Sequence, residues 1–315
     1  NYTCTASGQE RKIKKWAGIK GLCKYKRQER ENPMTIKRLI QKAFIGGQWY
    51  VGYRRKGDTK YSVIETPKDM WIADPTMFAV NGEHYLFVEV YENKKKKAAI
   101  GYYHFENNVP VYKGLIIENS YHMSYPCVFE YNGEFYMIPE SSTNDSITLY
   151  RAEHFPDKWV KETDLLKGEK YVDSTVFQHG DDVGLLSYKI VKGGWQLVSF
   201  SLDMDQKVLK KENVVHYKEN TGRPAGYIFA GNKRPAQDCR KKYGENLLVY
   251  EVDSFSPYSE HLIKTVGANQ IETLKPYDRV HTYTDDGAFE VIDLFKEKID
   301  LMHGVKIFCR AYLRK

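Results

Sequence analysis

Residues 74–89 read Asp74-Pro-Thr-Met-Phe-Ala-Val-Asn-Gly-Glu-His-Tyr-Leu-Phe-Val-Glu89. Two apolar, β-prone runs flank Asn81-Gly82, the residue pair that a two-residue hairpin turn demands. The pattern returns as Tyr125-Pro-Cys-Val-Phe-Glu-Tyr-Asn-Gly-Glu-Phe-Tyr-Met-Ile-Pro-Glu140. A third copy runs from Asp173 through Gly180 to Tyr188, and a fourth from Arg223 through Gly231 to Asp238. A degenerate fifth begins at His281. Successive starts lie 51, 48, 50 and 58 residues apart. A period near 50 built from hairpins is the spacing of a β-propeller with about four strands per blade. Five starts predict five blades. The strand Trp49–Arg54 precedes the first copy and is expected to be the outer strand that closes the ring, which removes exposed edges.

Outward from the repeats the chain changes character. Residues 34–46 place Ile36, Leu39, Ile40 and Phe44 at helical spacing, which predicts a short amphipathic helix. Residues 1–33 carry +6 of the chain's +7 formal charge. The fold class is therefore all-β, a five-bladed propeller over 47–315 behind a basic, partly helical leader over 1–46. The propeller itself is almost neutral. A nucleic-acid partner loses its electrostatic basis, because basic charge must lie on the binding domain. The leader is expected to be a solvated linker or a patch that meets anionic membrane or a neighbouring domain. The chain starts at Asn1 without a signal-peptide core, which suggests a removed segment or a piece of a longer protein.

No apolar run is long enough for a spanning helix. The five cysteines, Cys4, Cys23, Cys127, Cys239 and Cys309, are odd in number and widely spaced. Free thiols in a reducing, cytoplasmic setting, with the leader peripheral to a membrane, are the expectation. No zinc, P-loop or calcium-loop spacing occurs, so no metal or cofactor motif is expected, while the clustered carboxylates leave a calcium in the channel open.

Strand-one starts and strand-two ends of a propeller blade share one mouth of the channel. The starts are Asp74, Tyr125, Asp173, Arg223 and His281; the ends are Glu89, Glu140, Tyr188 and Asp238. Clustered carboxylates suit glycoside chemistry, in which one carboxylic acid protonates the departing oxygen and a second carboxylate activates water or an acceptor hydroxyl. Arginine and histidine in the same ring can hold an anionic group. Trp71, Tyr121, Tyr125 and Tyr188 are candidate platforms for a sugar ring.

Several motifs carry a family resemblance. Trp71-Ile-Ala-Asp-Pro75, Ser124-Tyr-Pro126, Met137-Ile-Pro-Glu-Ser141, Phe155-Pro-Asp-Lys-Trp159, Arg223-Pro-Ala-Gly226 and Arg234-Pro-Ala-Gln-Asp-Cys239 resemble the N-terminal domain of glucosamine inositolphosphorylceramide transferases. That domain is similar in fold to the five-bladed propellers of glycoside hydrolase family 43. The resemblance implies carbohydrate work in surface-polysaccharide or glycolipid synthesis. It implies Asp74 as general base or nucleophile. The second blade opens with Tyr125 where those hydrolases carry a tuning Asp, so Asp173 is the best substitute for it and Glu140 the best candidate for the acid. Glu89, Tyr125, Tyr188, Arg223, Gln237, Asp238 and His281 are the expected contacts to a glycan or activated sugar. A non-catalytic glycan-binding module of a larger transferase is the alternative.

Overall fold

A computed structural model describes residues 45–299. The leader helix expected over 34–46 lies outside the described residues, except that Ile45 and Gly46 open the first strand. Twenty strands form five four-stranded antiparallel sheets. In chain order, β3 (Met70–Val80), β4 (Glu83–Glu92), β5 (Lys97–Glu106) and β6 (Val109–Ile117) make the first blade. The second is β7 (Ser124–Tyr131), β8 (Glu134–Ser141), β9 (Ser146–His154) and β10 (Lys158–Lys167). The third is β11 (Val172–His179), β12 (Asp182–Val191), β13 (Gly194–Asp203) and β14 (Val208–Tyr217). The fourth is β15 (Arg223–Pro224), β16 (Lys233–Asp238), β17 (Asn246–Phe255) and β18 (Tyr258–Gly267).

The fifth blade joins the two ends of the described chain. Its order is β19 (Tyr283–Asp285), β20 (Phe289–Ile299), β1 (Ile45–Arg55), β2 (Ser62–Val63). The ring closes through the strand containing Trp49–Arg54, with one correction. That strand is third in its blade, and Ser62–Val63 takes the outer edge. A turn after Arg55 lets the chain fold back on β1 and cover an edge that would otherwise be bare.

The hairpins form where the turn residues demand. Asn81 and Gly82 adopt φ of 52° and 79°, and Asn132 and Gly133 adopt 51° and 79°, the left-handed pair of a type I′ turn. The apolar faces of the blades meet at five seams, each with its own core. Val88, Tyr103 and Ile72 of blade one pack on Phe289, Val291 and Val51 of blade five. Phe87 and Ile100 meet Val128 and Met137 between blades one and two. Ile138 and Leu149 meet Val176 and Leu185 between blades two and three. Tyr188 and Leu197 meet Val252 and Tyr258 at the next seam, and Ala225 and Leu247 meet Val280 and Ile292 at the last. Gly226 fits only as glycine. Its φ is 133°, and a Cβ there would lie 1.8 Å from the Tyr283 carbonyl oxygen.

Candidate functional site

The first strands of blades one to three share a distortion at their mouth ends. The ladders jump register between Ala73 and Thr76, Ser124 and Cys127, and Val172 and Thr175. Each jump contains a residue in the left-handed region, namely Asp74 (φ 47°), Tyr125 (44°) and Asp173 (51°). That conformation costs an L-residue about 1–2 kcal/mol. The bulge re-aims its side chain toward the channel mouth, as bulges beside functional sites do. Blade four lacks the bulge. Arg223 pairs Gln237 and Pro224 pairs Ala236 without a shift.

Two clusters result. In the first, Arg223 of blade four grips Asp173 of blade three through both Nε and Nη2, the latter at 3.1 Å. Gln237 Nε2 donates to Asp173 Oδ2 at 2.9 Å. Arg223 Nη2 also lies 3.5 Å from Glu140 Oε2, and Ser142 Oγ donates to Glu140 Oε1 at 2.6 Å. Burial, with Asp173 close by, pushes the Glu140 carboxyl up to about 7, against the pull of Arg223.

The second cluster spans blades five and one. Thr282 Oγ1 donates to Asp74 Oδ1 at 3.2 Å, and His281 Nε2 stands 3.9 Å from the same oxygen. Burial raises the Asp74 carboxyl well above its ordinary range, and the negative charges of Glu89, Asp173 and Asp293 add to the effect. Glu89 is itself buried, with its Oε1 3.2 Å from His122 Nε2. The Ala98 amide donates to His122 Nδ1 at 3.3 Å, which places the ring hydrogen on Nε2, facing Glu89.

Asp293 is the anchor of this cluster. Its Oδ1 accepts from the His281 and Thr282 amides at 3.1 and 2.9 Å. Its Oδ2 accepts from the Asp74 amide at 3.2 Å and lies 2.6 Å from His281 Nδ1. Four donors fill the lone-pair sites of one carboxylate. Donor atoms of Asp74, His281 and Asp293 lie within 4.8 Å of one another, the spacing of a metal cage. With Asp293 saturated, Asp74 and His281 Nε2 are the members of this trio left to meet a cation, whose other positions water would fill.

The mouth's aromatic wall is Tyr243, with 43% of its surface exposed. Its ring lies 5.2 Å from the Arg223 guanidinium and 5.1 Å, edge-on, from His281. Trp49 stacks on His281 at 3.8 Å and meets Tyr243 edge-on at 6.3 Å.

Of the expected site residues, Asp74, Glu89, Glu140, Asp173, Arg223, Gln237 and His281 come together at the mouth. Three do not present free groups there. The Tyr125 hydroxyl accepts from the Gly226 amide at 2.6 Å and bonds Thr175 Oγ1 at 2.8 Å, so it ties blades two, three and four. Tyr188 is fully buried in the seam between blades three and four, its hydroxyl on Asn220 Oδ1 at 3.1 Å. Asp238 stands one residue beyond the register of Glu89 and Glu140. In an unbulged strand that single step turns a side chain to the opposite face. There it is held by Arg240 Nε at 2.8 Å and Asn246 Nδ2 at 3.1 Å, and the contacts with Arg240 and Asn246 keep its carboxyl low despite burial. Trp71 stacks on Tyr91 at 4.6 Å within blade one. His122, Tyr243, Thr282, Ser142 and Asp293 were not among the expected contacts.

The sequence profile of the family "Glucosamine inositolphosphorylceramide transferase 1, N-terminal" matches residues 59–267, about two thirds of the chain. The chain belongs to this family. The glucosamine inositolphosphorylceramide transferase 1 of Arabidopsis thaliana is 29% identical over 199 residues, covering 59% of this chain and 26% of that protein. The rice protein of the same name, from Oryza sativa subsp. indica, is 26% identical over 59% of this chain and 27% of its own length. The chain thus spans about a quarter of the curated relatives it matches. Among solved structures, the catalytic domain of the Coprinopsis cinerea α-L-arabinofuranosidase is similar in fold at a TM-score of 0.51. It is 11% identical, over 78% of this chain and 97% of that one. An α-L-arabinofuranosidase of Clostridium thermocellum also scores 0.51, at 13% identity over 70% of this chain and 80% of that one. At these identities the likeness is one of fold, the five-bladed propeller.

Proposed function

We propose that this family member binds a glycan or activated sugar at the channel mouth and acts on its glycosidic bond. The observation that carries the reading is a pair of carboxyls, the buried Asp74 and the partly buried Glu140, both held toward the protonated form beside an arginine and an exposed tyrosine ring. Two carboxyl groups of unequal proton affinity are the machinery of glycosidic bond cleavage and transfer. The names of the relatives support a sugar as the ligand.

The surroundings favour roles opposite to those the resemblance implies. Glu140 has Arg223 and the Ser142 hydroxyl to steady a negative charge. Burial and the charges of Glu89, Asp173 and Asp293 hold Asp74 toward its protonated form. In this allotment Asp74 hands its proton to the leaving oxygen and Glu140 takes one from water or an acceptor hydroxyl. Asp173 is bound to Arg223 and Gln237 and serves to place them. Tyr243 offers a flat apolar face for a sugar ring.

The test is turnover of glycosides and sugar nucleotides by Asp74→Asn. Asparagine tolerates the left-handed backbone at this position, so the variant is expected to fold. Loss of at least a hundredfold in rate is expected, since general acid–base catalysis contributes about 10²–10⁴. Unchanged turnover overturns the assignment. A second reading, a glycan-binding module without turnover, is favoured by the bonds that hold Asp173 to Arg223 and Gln237 and leave that carboxylate no free part in chemistry. It predicts sugar binding by the wild type with no product.

A further inference from the structure

Glu89 stands one strand outward from Asp74. Ala73 pairs with Glu89 across β3 and β4, and neighbouring strands lie about 4.8 Å apart. The Glu89 carboxylate is buried, with 8% of its side chain exposed. Among the described residues, the side chain brought against it is His122, whose Nε2 lies 3.2 Å from Oε1. That distance exceeds the roughly 2.7–2.9 Å of a full charge-assisted hydrogen bond, so neither partner is spent on the other. A buried carboxylate with an uncommitted oxygen is costly until a donor meets it.

His122 is held from behind. The Ala98 amide donates to its Nδ1 at 3.3 Å, and the Met123 amide donates to the Ala98 carbonyl at 3.2 Å, which pins the β6–β7 connection on the start of β5. Thr143 Oγ1, from the β8–β9 connection, donates to the His122 carbonyl at 3.4 Å. The ring therefore keeps its hydrogen on Nε2, and 38% of the side chain stays exposed. The pair sets a fixed donor, His122 Nε2–H, beside an acceptor-only carboxylate. A sugar hydroxyl calls for both, because it donates one hydrogen and accepts another.

We propose that Glu89 and His122 form a clamp for one hydroxyl of the sugar whose glycosidic bond lies at Asp74. The proposal rests on the glycan reading of the mouth and adds the element that selects among sugars. The hydroxyl donates to Glu89 and accepts from His122 Nε2–H. One strand spacing is close to the width of a sugar ring, so the clamped hydroxyl belongs to the same ring that Asp74 attends. Asp74 and Glu140 remain the reacting pair, and Glu89 and His122 exchange no proton with the substrate. The ligand class is a sugar with a free hydroxyl on that edge of its ring. A sugar that lacks it leaves the buried carboxylate without a donor and is rejected.

The experiment is calorimetric binding of the full chain to the methyl glycosides of glucosamine and arabinose and to each of their monodeoxy analogues. The wild type is expected to bind one deoxy analogue about tenfold to a hundredfold more weakly than its parent, the worth of a hydrogen bond to a charged group. Glu89→Gln and His122→Ala should each weaken the parent by a similar factor and erase the penalty at that one position. The other deoxy positions should keep theirs, the pattern of a broken pairwise contact. His122→Gln, whose amide donates in place of Nε2–H, should recover part of the discrimination. A merely structural role for the pair would instead weaken every sugar of the series alike. That result, or a wild type that binds the parents and penalises no deoxy position, overturns the clamp and leaves the mouth reading standing. Binding of no member of the series overturns the mouth reading and the clamp together.

Discussion

Arg223 and Asp173 sit on different blades and meet through two parallel hydrogen bonds, one of them at 3.1 Å. Asp173 is 1% exposed, so its charge has almost no solvent to fall back on. Removing one partner of such a pair leaves an uncompensated buried charge, at a cost of about 3–5 kcal/mol. Arg223→Ala should lower the unfolding free energy by about 3 kcal/mol in urea denaturation. Arg223→Lys should recover part of it, because a point charge cannot reproduce the planar two-pronged contact. A variant as stable as the wild type would show that the seam between blades three and four does not depend on the pair.

Glu140 links the site to pH. Its carboxyl is raised from the ordinary 4.5 to about 7. A raised carboxyl contributes stability below its unfolded value and loses it as the pH rises through the folded value. The melting temperature should therefore fall between about pH 4.5 and 7 through this group, and Glu140→Gln should remove that part of the slope. Both allotments need one proton on the pair, so either gives a rate that rises as the pH climbs through about 7 and falls when the second proton leaves. A substrate with an acidic leaving group separates them, because it should restore turnover to Asp74→Asn if Asp74 is the acid and to Glu140→Gln if Glu140 is. The two carboxyls interact, so the profile reports the values of the pair.

What the sequence made legible follows the hairpin period. Asp74, Asp173, Glu89 and Glu140 repeat at a fixed place beside an alternating strand and a Gly-containing turn, and a period-two pattern fixes which face they share. Gln237 and Asp238 show the limit of that logic. The bulge of blades one to three adds a residue that blade four omits, and a slip of one residue reverses the face. Tyr188 keeps the register of Glu140. An aromatic ring has more to gain from the seam than from the mouth, and Tyr188 is buried there. His122 and Tyr243 lie on connections between strands, where no period marks a residue. Asp293 carried a signal that the repeat obscured. It ends the fifth hairpin 12 residues after His281, where the other copies place their end residue 15 after the start.

Asp293 offers the sharpest separation of architecture from chemistry. It touches both sides of the closing seam, holding the His281 and Thr282 amides of blade five and the Asp74 amide of blade one. It also fixes the His281 ring through Nδ1 at 2.6 Å. Asp293→Ala would strand three buried amides, and each unsatisfied group costs about 1–3 kcal/mol. Even after partial relaxation the loss should exceed about 3 kcal/mol, enough to lower the melting temperature of the whole propeller, because the seam is where the ring closes. Asp293→Asn keeps one acceptor oxygen, for the His281 and Thr282 amides, and should lose less. It gives up the acceptor that holds Asp74 and the His281 ring. Turnover in the Asn variant should therefore drop further than its stability does, read by comparing its rate with its urea midpoint. Equal wild-type rates in a folded Asn variant would show that the orientation of Asp74 does not depend on Asp293.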